Sequence, residues 1–279
     1  MECRDAAGVT DGWIRRGVCG IALVLVAVRP GFAQTDEIQV YDAVIAAPGQ
    51  FNLTVHNNFT PSGVTTPAFP GALVADKSFN GVPEWAYGVT DWFEAGLYLP
   101  LYSVGKIDDH GASAMLDGGK IRLLFVAPHA DDRRFFYGAN FEFSVNARHW
   151  DASRFTSEVR PIVGWHMGAV DLIFNPIVDT AYDGLGNLDF APATRLAYNC
   201  TKQWTVAAEE YDDFGPVHHF RPADDEAHQL WAVVDRRFAG FSVEAGVGFG
   251  LTPTSDHMTL KLILSRDLNE KPAASAASR

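Results

Sequence analysis

The feature that most constrains this chain is an alternation of apolar and polar residues that begins at Phe51 and recurs almost to the end. In FNLTVHNNFT, residues 51 to 60, Phe51, Leu53, Val55 and Phe59 share one face of an extended chain, and Asn52, Thr54, His56, Asn58 and Thr60 share the other. Successive side chains of a strand point to opposite faces, so such a run builds a two-sided strand rather than a helix. Similar runs follow at about 84 to 89, 93 to 102, 119 to 127, 135 to 147, 155 to 167, 171 to 179, 188 to 199, 204 to 213, 229 to 238, 241 to 251 and 257 to 267, which makes twelve. Soluble strands average about 5 to 6 residues, whereas about 9 to 11 tilted residues cross a bilayer. Beyond residue 33 no apolar stretch approaches the length of a membrane helix, so a crossing here is made by strands.

The connections carry independent information, because outer-membrane barrels alternate long outer loops with short periplasmic turns. Residues 61 to 83 form a long Pro/Gly-rich loop and Thr90-Asp91-Trp92 a tight turn; 103 to 118 are long again, followed by an intermediate connection from Pro128 to Arg134. The remaining connections are 148 to 154, 167 to 170, 180 to 187, 200 to 203, 214 to 228, 239 to 240 and 252 to 256, of which only the last is short where a long loop is expected. The predicted fold is an all-β, transmembrane antiparallel up-and-down β-barrel of about 12 strands (range 10–14), residues 50 to 268, with both ends in the periplasm. Phe135, Tyr137, Phe141, Phe143 and Val145 form an apolar outward face; so do Phe241, Val243, Val247, Phe249 and Leu251, and Met258, Leu260, Leu262 and Leu264. Trp92, Trp165, Tyr198 and Trp204 fall near the periplasmic turns, where an aromatic girdle belongs. A soluble β-sandwich or soluble barrel would show the same alternation with its apolar face turned inward.

Residues 13 to 33, WIRRGVCGIALVLVAVRPGFA, join Arg15 and Arg16 to an apolar run and a small-residue end, which reads as a secretory signal peptide over 1 to 33. Removing it takes away Arg4, Arg15, Arg16 and Arg29 but only Glu2, Asp5 and Asp11, so the formal charge moves from -12 to -13. That acidic balance argues against a nucleic-acid partner. Cys200 is then the only cysteine left, so no internal disulfide supports the fold. Residues 34 to 49 read as a short N-terminal periplasmic segment and 269 to 279 as a flexible C-terminal tail. Outer-membrane lipids and the barrel assembly machinery are the implied partners.

If the apolar positions face lipid, the inward face collects Glu84, Glu94, Glu142, Glu158, Glu209 and Glu244 with Lys120, Arg122, Arg160, Arg195 and Lys261. Lys or Arg turned outward at mid-bilayer would cost about 2 to 4 kcal/mol each, so the lumen is their economical place. His56, Asn140, His166 and Asn175 join them as inward polar groups. Residues equidistant from a turn face each other, which predicts Lys120 against Glu142, Glu142 against Arg160, Ser144 against Glu158 and Arg195 against Glu209. This charge ladder either lines a narrow aqueous path or closes it.

Competing chemistries find little support. A lipid hydrolase needs a serine and a base in hydrogen-bond reach, yet Ser157 and His166 differ in parity and His149 with Ser153 lacks a positioned third group. The loop HHFRPADDEAH, residues 218 to 228, carries imidazoles and carboxylates, but its spacing matches no strong metal motif and reads as a solvated acidic loop. No metal, cofactor or catalytic residue is assigned.

The stretch EWAYGVTDWFEAGLYLPL, Glu84 to Leu101, with RPIVGW (160 to 165), LAYN (196 to 199) and WTVAAEEY (204 to 211), resembles the small Gram-negative outer-membrane barrels of the MetA-pathway phenol-degradation transporter family. The resemblance covers most of residues 37 to 268 and rests on hairpin patterns rather than an active-site signature. The chain departs from the usual aromatic ending of such barrels, since NEKPAASAASR follows Leu268. The resemblance implies passive passage of a small solute, hydrophobic or aromatic in character. The alternatives are a closed structural or surface-binding barrel, whose work is done by outer loops 61 to 83, 103 to 118 and 214 to 228, and a lipid-modifying barrel enzyme.

Overall fold

The computed structural model describes residues 37–107 and 111–269. The signal peptide read over 1 to 33 and the tail from residue 270 lie outside these residues. Twelve antiparallel strands follow in chain order: β1 (Phe51–Ser62), β2 (Ser78–Gly88), β3 (Phe93–Tyr98, continued by Tyr102–Gly105), β4 (Ser113–Leu116 and Gly119–Val126), β5 (Phe135–Val145) and β6 (Phe155–Met167). They continue as β7 (Val170–Asn175 and Val178–Thr180), β8 (Asp189–Phe190 and Ala193–Asn199), β9 (Trp204–Asp213 and Gly215–Pro216), β10 (Ala227–Phe238), β11 (Phe241–Gly250) and β12 (Met258–Asp267). Each pairs with its chain neighbours, and β1 pairs with β12 from Asn52↔Asp267 to Ser62↔Met258, so the sheet closes on itself and leaves no free edge.

Burial follows the alternation. On β5 the outward Phe135, Tyr137 and Phe143 are exposed while the inward Phe136, Asn140 and Glu142 are buried. Phe51, Trp85, Leu97, Ile121, Trp165, Leu196, Trp204, Leu230, Phe249 and Leu260 carry the exposed apolar belt around the wall. A belt of this extent suits hydrocarbon and is foreign to a soluble surface, so the apolar face is turned outward, as an outer-membrane barrel requires. Inside, two aromatic rings lie flat on glycines of the neighbouring strand. A Cβ on Gly164 would come 2.0 Å from Phe136 Cζ, and one on Gly248 would come 2.1 Å from Trp231 Cε2.

Strand bounds differ from the sequence reading mainly where turn-forming residues interrupt the alternation. β2 begins at Ser78 rather than at 84, because Gly81 and Pro83 hide a ladder that pairs Ser78 through Tyr87 with β1. The loop expected at 103 to 118 is largely strand, since Tyr102–Gly105 pairs with Ser113–Leu116 as an outer extension of β3 and β4. Hairpin registers are offset by two residues from expectation. Arg122 stands opposite Glu142 and Lys120 opposite Ser144; Glu142 stands opposite Glu158 rather than Arg160, and Ser144 opposite Thr156 rather than Glu158. An even offset preserves every inside-outside assignment. Arg195 does stand opposite Glu209.

The largest departure is the N-terminal segment. Sequence reading places residues 34 to 49 in the periplasm, but the described part, from Glu37, runs inside the barrel. Val40, Tyr41 and Ala43 are buried against Leu124, Phe136, Ile162, Ile173 and Ala193 of the inner wall. A second apolar cluster, Val82, Tyr98, Leu101, Ala147 and Trp150, lies toward the outer mouth.

Candidate functional site

The lumen is organised by three charge networks hung from the strands. In the first, Arg122 bridges Glu84 at 2.6 Å and also contacts Glu94, and His56 Nε2 lies 3.2 Å from Glu84. In the second, Lys120 Nζ reaches Glu142 at 3.4 Å despite the register offset, and Arg160 pairs with Glu158 two residues away on its own strand at 2.6 Å. In the third, Lys261 Nζ bridges Glu209 at 2.5 Å and Glu244 at 2.6 Å, while Arg195 contacts Glu209 and Asp235 and stands 3.6 Å from Glu244. Lys261 is 3% exposed and Glu209 1%, so their charges are held by one another and not by water.

All eleven charged residues singled out from sequence therefore take part in these networks, although Glu142 is held by Lys120, Asn140 and Tyr41 instead of by Arg160. Asn140 donates to Glu142 at 2.9 Å. His166 lies at the periplasmic end with Nδ1 2.7 Å from Asp171 and its ring stacked on Phe136. Sequence reasoning finds the two signs nearly balanced. Glu37, Asp179 and Asp235 were not among its candidates, and they tip the lumen toward acid. Asp235 pairs with Glu244 across β10 and β11 and Asp179 with Glu158 across β7 and β6; the period-2 pattern held the signal for both.

The N-terminal segment is threaded through these networks. Asn175 clamps the backbone of Tyr41 from both sides: Tyr41 N–H donates to Asn175 Oδ1 at 2.7 Å, and Asn175 Nδ2 donates to Tyr41 O at 3.1 Å. The Tyr41 hydroxyl lies 2.8 Å from that of Tyr98 and donates to Glu142 at 3.2 Å. Arg160 stacks on the Tyr41 ring at 4.5 Å and donates to Gln39 O at 2.9 Å; Lys261 donates to Ile38 O at 3.2 Å. Nearer the periplasm, Ala46 N–H donates to Glu94 at 2.5 Å. The wall thus supplies the backbone hydrogen bonds that a segment without regular structure cannot make within itself.

Beside the segment, a cavity of about 500 Å³ is lined by Asn52, Thr54, Asp235, Arg237, Ser242, Glu244, Ser265 and Asp267 together with the segment's own Gln39 to Ala46. Its lining includes the periplasmic ends of β1, β10, β11 and β12. The outer mouth is covered on the β2 to β6 side. Trp150, 5% exposed, donates through Nε1 to Ser103 Oγ at 2.6 Å, and His149 Nε2 lies 2.9 Å from the same oxygen. Burial pushes the His149 imidazole below its ordinary pKa. His149 thus meets Ser103 on another strand, not Ser153, and Ser103 secures a loop. At the same rim Asp117 receives both Arg154 guanidinium nitrogens, at 2.7 and 2.9 Å, which holds its carboxyl down to about 2. In the acidic outer loop, His228 is engaged by Asp212 at 2.5 Å and Glu226 at 3.2 Å.

No protein-family model matches the chain, and no curated protein matches it. Solved structures do. An outer membrane channel from Pseudomonas putida F1 superposes with a TM-score of 0.57 at 14% sequence identity, covering 83% of this chain and 100% of that one. KdgM porin superposes with a TM-score of 0.51 at 6% identity, covering 78% of this chain and 99% of that one. At such identities the likeness is one of fold, and that fold is the closed, all-β, porin-like barrel of the outer membrane.

Proposed function

We propose that this outer-membrane barrel lets a small solute pass passively along its charge-lined lumen, and that residues 37 to 48 occupy the lumen in the resting state. The observation that carries the reading is how the middle of the lumen is filled. It holds an irregular segment attached by side-chain contacts, beside a polar cavity of about 500 Å³ at the periplasmic end. A twelve-stranded barrel is wider than the eight-stranded kind whose own side chains fill the interior. Side-chain anchors of this sort can exchange for water without opening a strand ladder. The resemblance to phenol-degradation barrels points to a hydrophobic or aromatic solute, and the acidic excess of the lumen disfavours small anions.

A second reading, a closed barrel without transport, draws on the outer mouth. There Trp150 and His149 converge on Ser103, and Leu73 N–H donates to His149 O at 2.9 Å, which joins two loops over the opening. Planar-bilayer recording separates the two readings. Passive passage predicts low or intermittent conductance for the whole exported chain and a steady, larger conductance when residues 37 to 48 are deleted. Silence from the deleted form, with its heat-dependent gel shift intact, establishes the closed barrel instead.

A further inference from the structure

On the lipid-facing side of the wall, the outer ends of β3 to β6 are indented by a groove of about 550 Å³. Leu97, Gly119, Ile121, Phe143, Phe155 and Tyr182 line it, with Lys120, Ser144, Arg154 and Thr156 as the polar part of its lining. The register fixes its sidedness. Leu97 stands opposite Ile121, Ile121 opposite Phe143, and Gly119 opposite Val145, which in turn stands opposite Phe155. Residues directly opposite one another share a face, and Leu97, Ile121, Phe143 and Phe155 are all exposed, so the face is the outer one.

Two features make the hollow. Gly119 presents no side chain at an outward position, and a Cβ there would already come within 3.1 Å of Leu99 Cδ1 and Tyr98 O. Tyr182 forms the roof. It leaves the loop after β7 in a left-handed backbone conformation, φ 64, and folds back over the wall until its hydroxyl meets that of Ser157. Ser157 stands opposite Phe143 and so also faces outward, yet it is buried. The tyrosine satisfies a hydroxyl that would otherwise meet hydrocarbon. At the outer end Arg154 is paired with Asp117, and Lys120, which also lines the groove, is paired with Glu142.

We propose that this groove seats one acyl chain of an outer-leaflet lipid. It is continuous with the apolar belt that the bilayer already covers. A concave apolar surface also removes more of a chain from contact with its surroundings than a flat one does. With Arg154 paired, selection acts on the chain rather than on the headgroup charge.

The test uses the whole chain exported to and extracted from outer membranes, then placed in nanodiscs of phosphatidylglycerol, a fraction of it carrying a diazirine on the acyl chain. After irradiation, peptide mapping should find label at Leu97, Ile121, Phe143 and Phe155 several-fold above Leu230, Phe249 and Leu260, outward residues near the outer ends of the opposite wall. Ile121→Trp and Gly119→Phe, which fill the hollow, should each lower that label to the level of the opposite wall. A retained heat-dependent gel shift shows that these variants still fold, and Ile121→Trp, at an exposed position, tests the idea even if Gly119→Phe does not. Uniform labelling around the wall, or labelling unchanged by Ile121→Trp, overturns the proposal.

Discussion

Replacing Lys261 with methionine removes the cation at the centre of the third lumen network and keeps most of the side-chain volume. The ammonium is buried, bridges Glu209 at 2.5 Å and Glu244 at 2.6 Å, and donates to Ile38 O of the N-terminal segment at 3.2 Å. Removing one partner of a buried pair costs about 3 to 5 kcal/mol, because the other charge stays in place unsatisfied. Here the lower end applies. Glu209 keeps Arg195 and the Tyr211 hydroxyl at 2.7 Å, and Glu244 borders the periplasmic cavity, so water can reach it. The expected loss is about 3 kcal/mol, measured by urea unfolding of the folded barrel in phospholipid vesicles followed by tryptophan fluorescence. Glu209→Gln alone should cost less, since Arg195 retains Asp235 and Glu244. The pair of changes together should recover about 1 to 2 kcal/mol of the loss, the coupling that a double-mutant cycle reads. A loss for Lys261→Met under about 1 kcal/mol, or a double variant whose loss equals the sum of the two single losses, refutes the assignment of that lysine to a buried, coupled network.

Other consequences are as direct. Gly248→Ala sets a methyl group against the buried Trp231 ring, 2.1 Å from Cε2, and should cost about 1 to 3 kcal/mol in the same unfolding assay. Single-tryptophan variants should divide by face: Trp85, Trp165 and Trp204, all exposed, quenched by brominated lipid, and Trp231 and Trp150, both buried, shielded from it. Because the Asp117 carboxyl titrates at about 2, below its ordinary value of about 3.9, its hold on Arg154 is fully present above pH ~4 and lost as pH falls toward 2. Limited proteolysis of the 146 to 154 loop should increase across that window in the native chain and be insensitive to it in Asp117→Asn. Asp179 and Asp235, which remain when residues 37 to 48 are deleted, predict a cation-selective reversal potential for that form.

The wall was readable from sequence because a strand's two faces are encoded residue by residue. Phe51 to Thr60 and Phe155 to Met167 each state inside and outside without reference to any other part of the chain. Register was less readable, since it depends on how many residues a turn consumes; the connection from Ala127 to Arg134 contains a 3-10 turn that offsets the Lys120 and Glu142 pairing by two residues. β2 was masked by Gly81 and Pro83, whose turn-forming character outweighs the alternation around them. The N-terminal segment carries no period at all. Its position is fixed by contacts such as Tyr41 with Asn175, 134 residues apart, and no local pattern announces a partner at that distance. The same limit kept His149 from being matched with Ser103.

The central claim, a barrel whose passage is governed by its own N-terminal segment, is tested most directly by liposome swelling in a small neutral sugar. The whole exported chain and the form lacking residues 37 to 48 would be compared at equal amounts of heat-modifiable, folded protein. The account predicts little or no swelling from the whole chain and rapid swelling from the shortened one. Equal rates from the two forms, whether both fast or both absent, would contradict it.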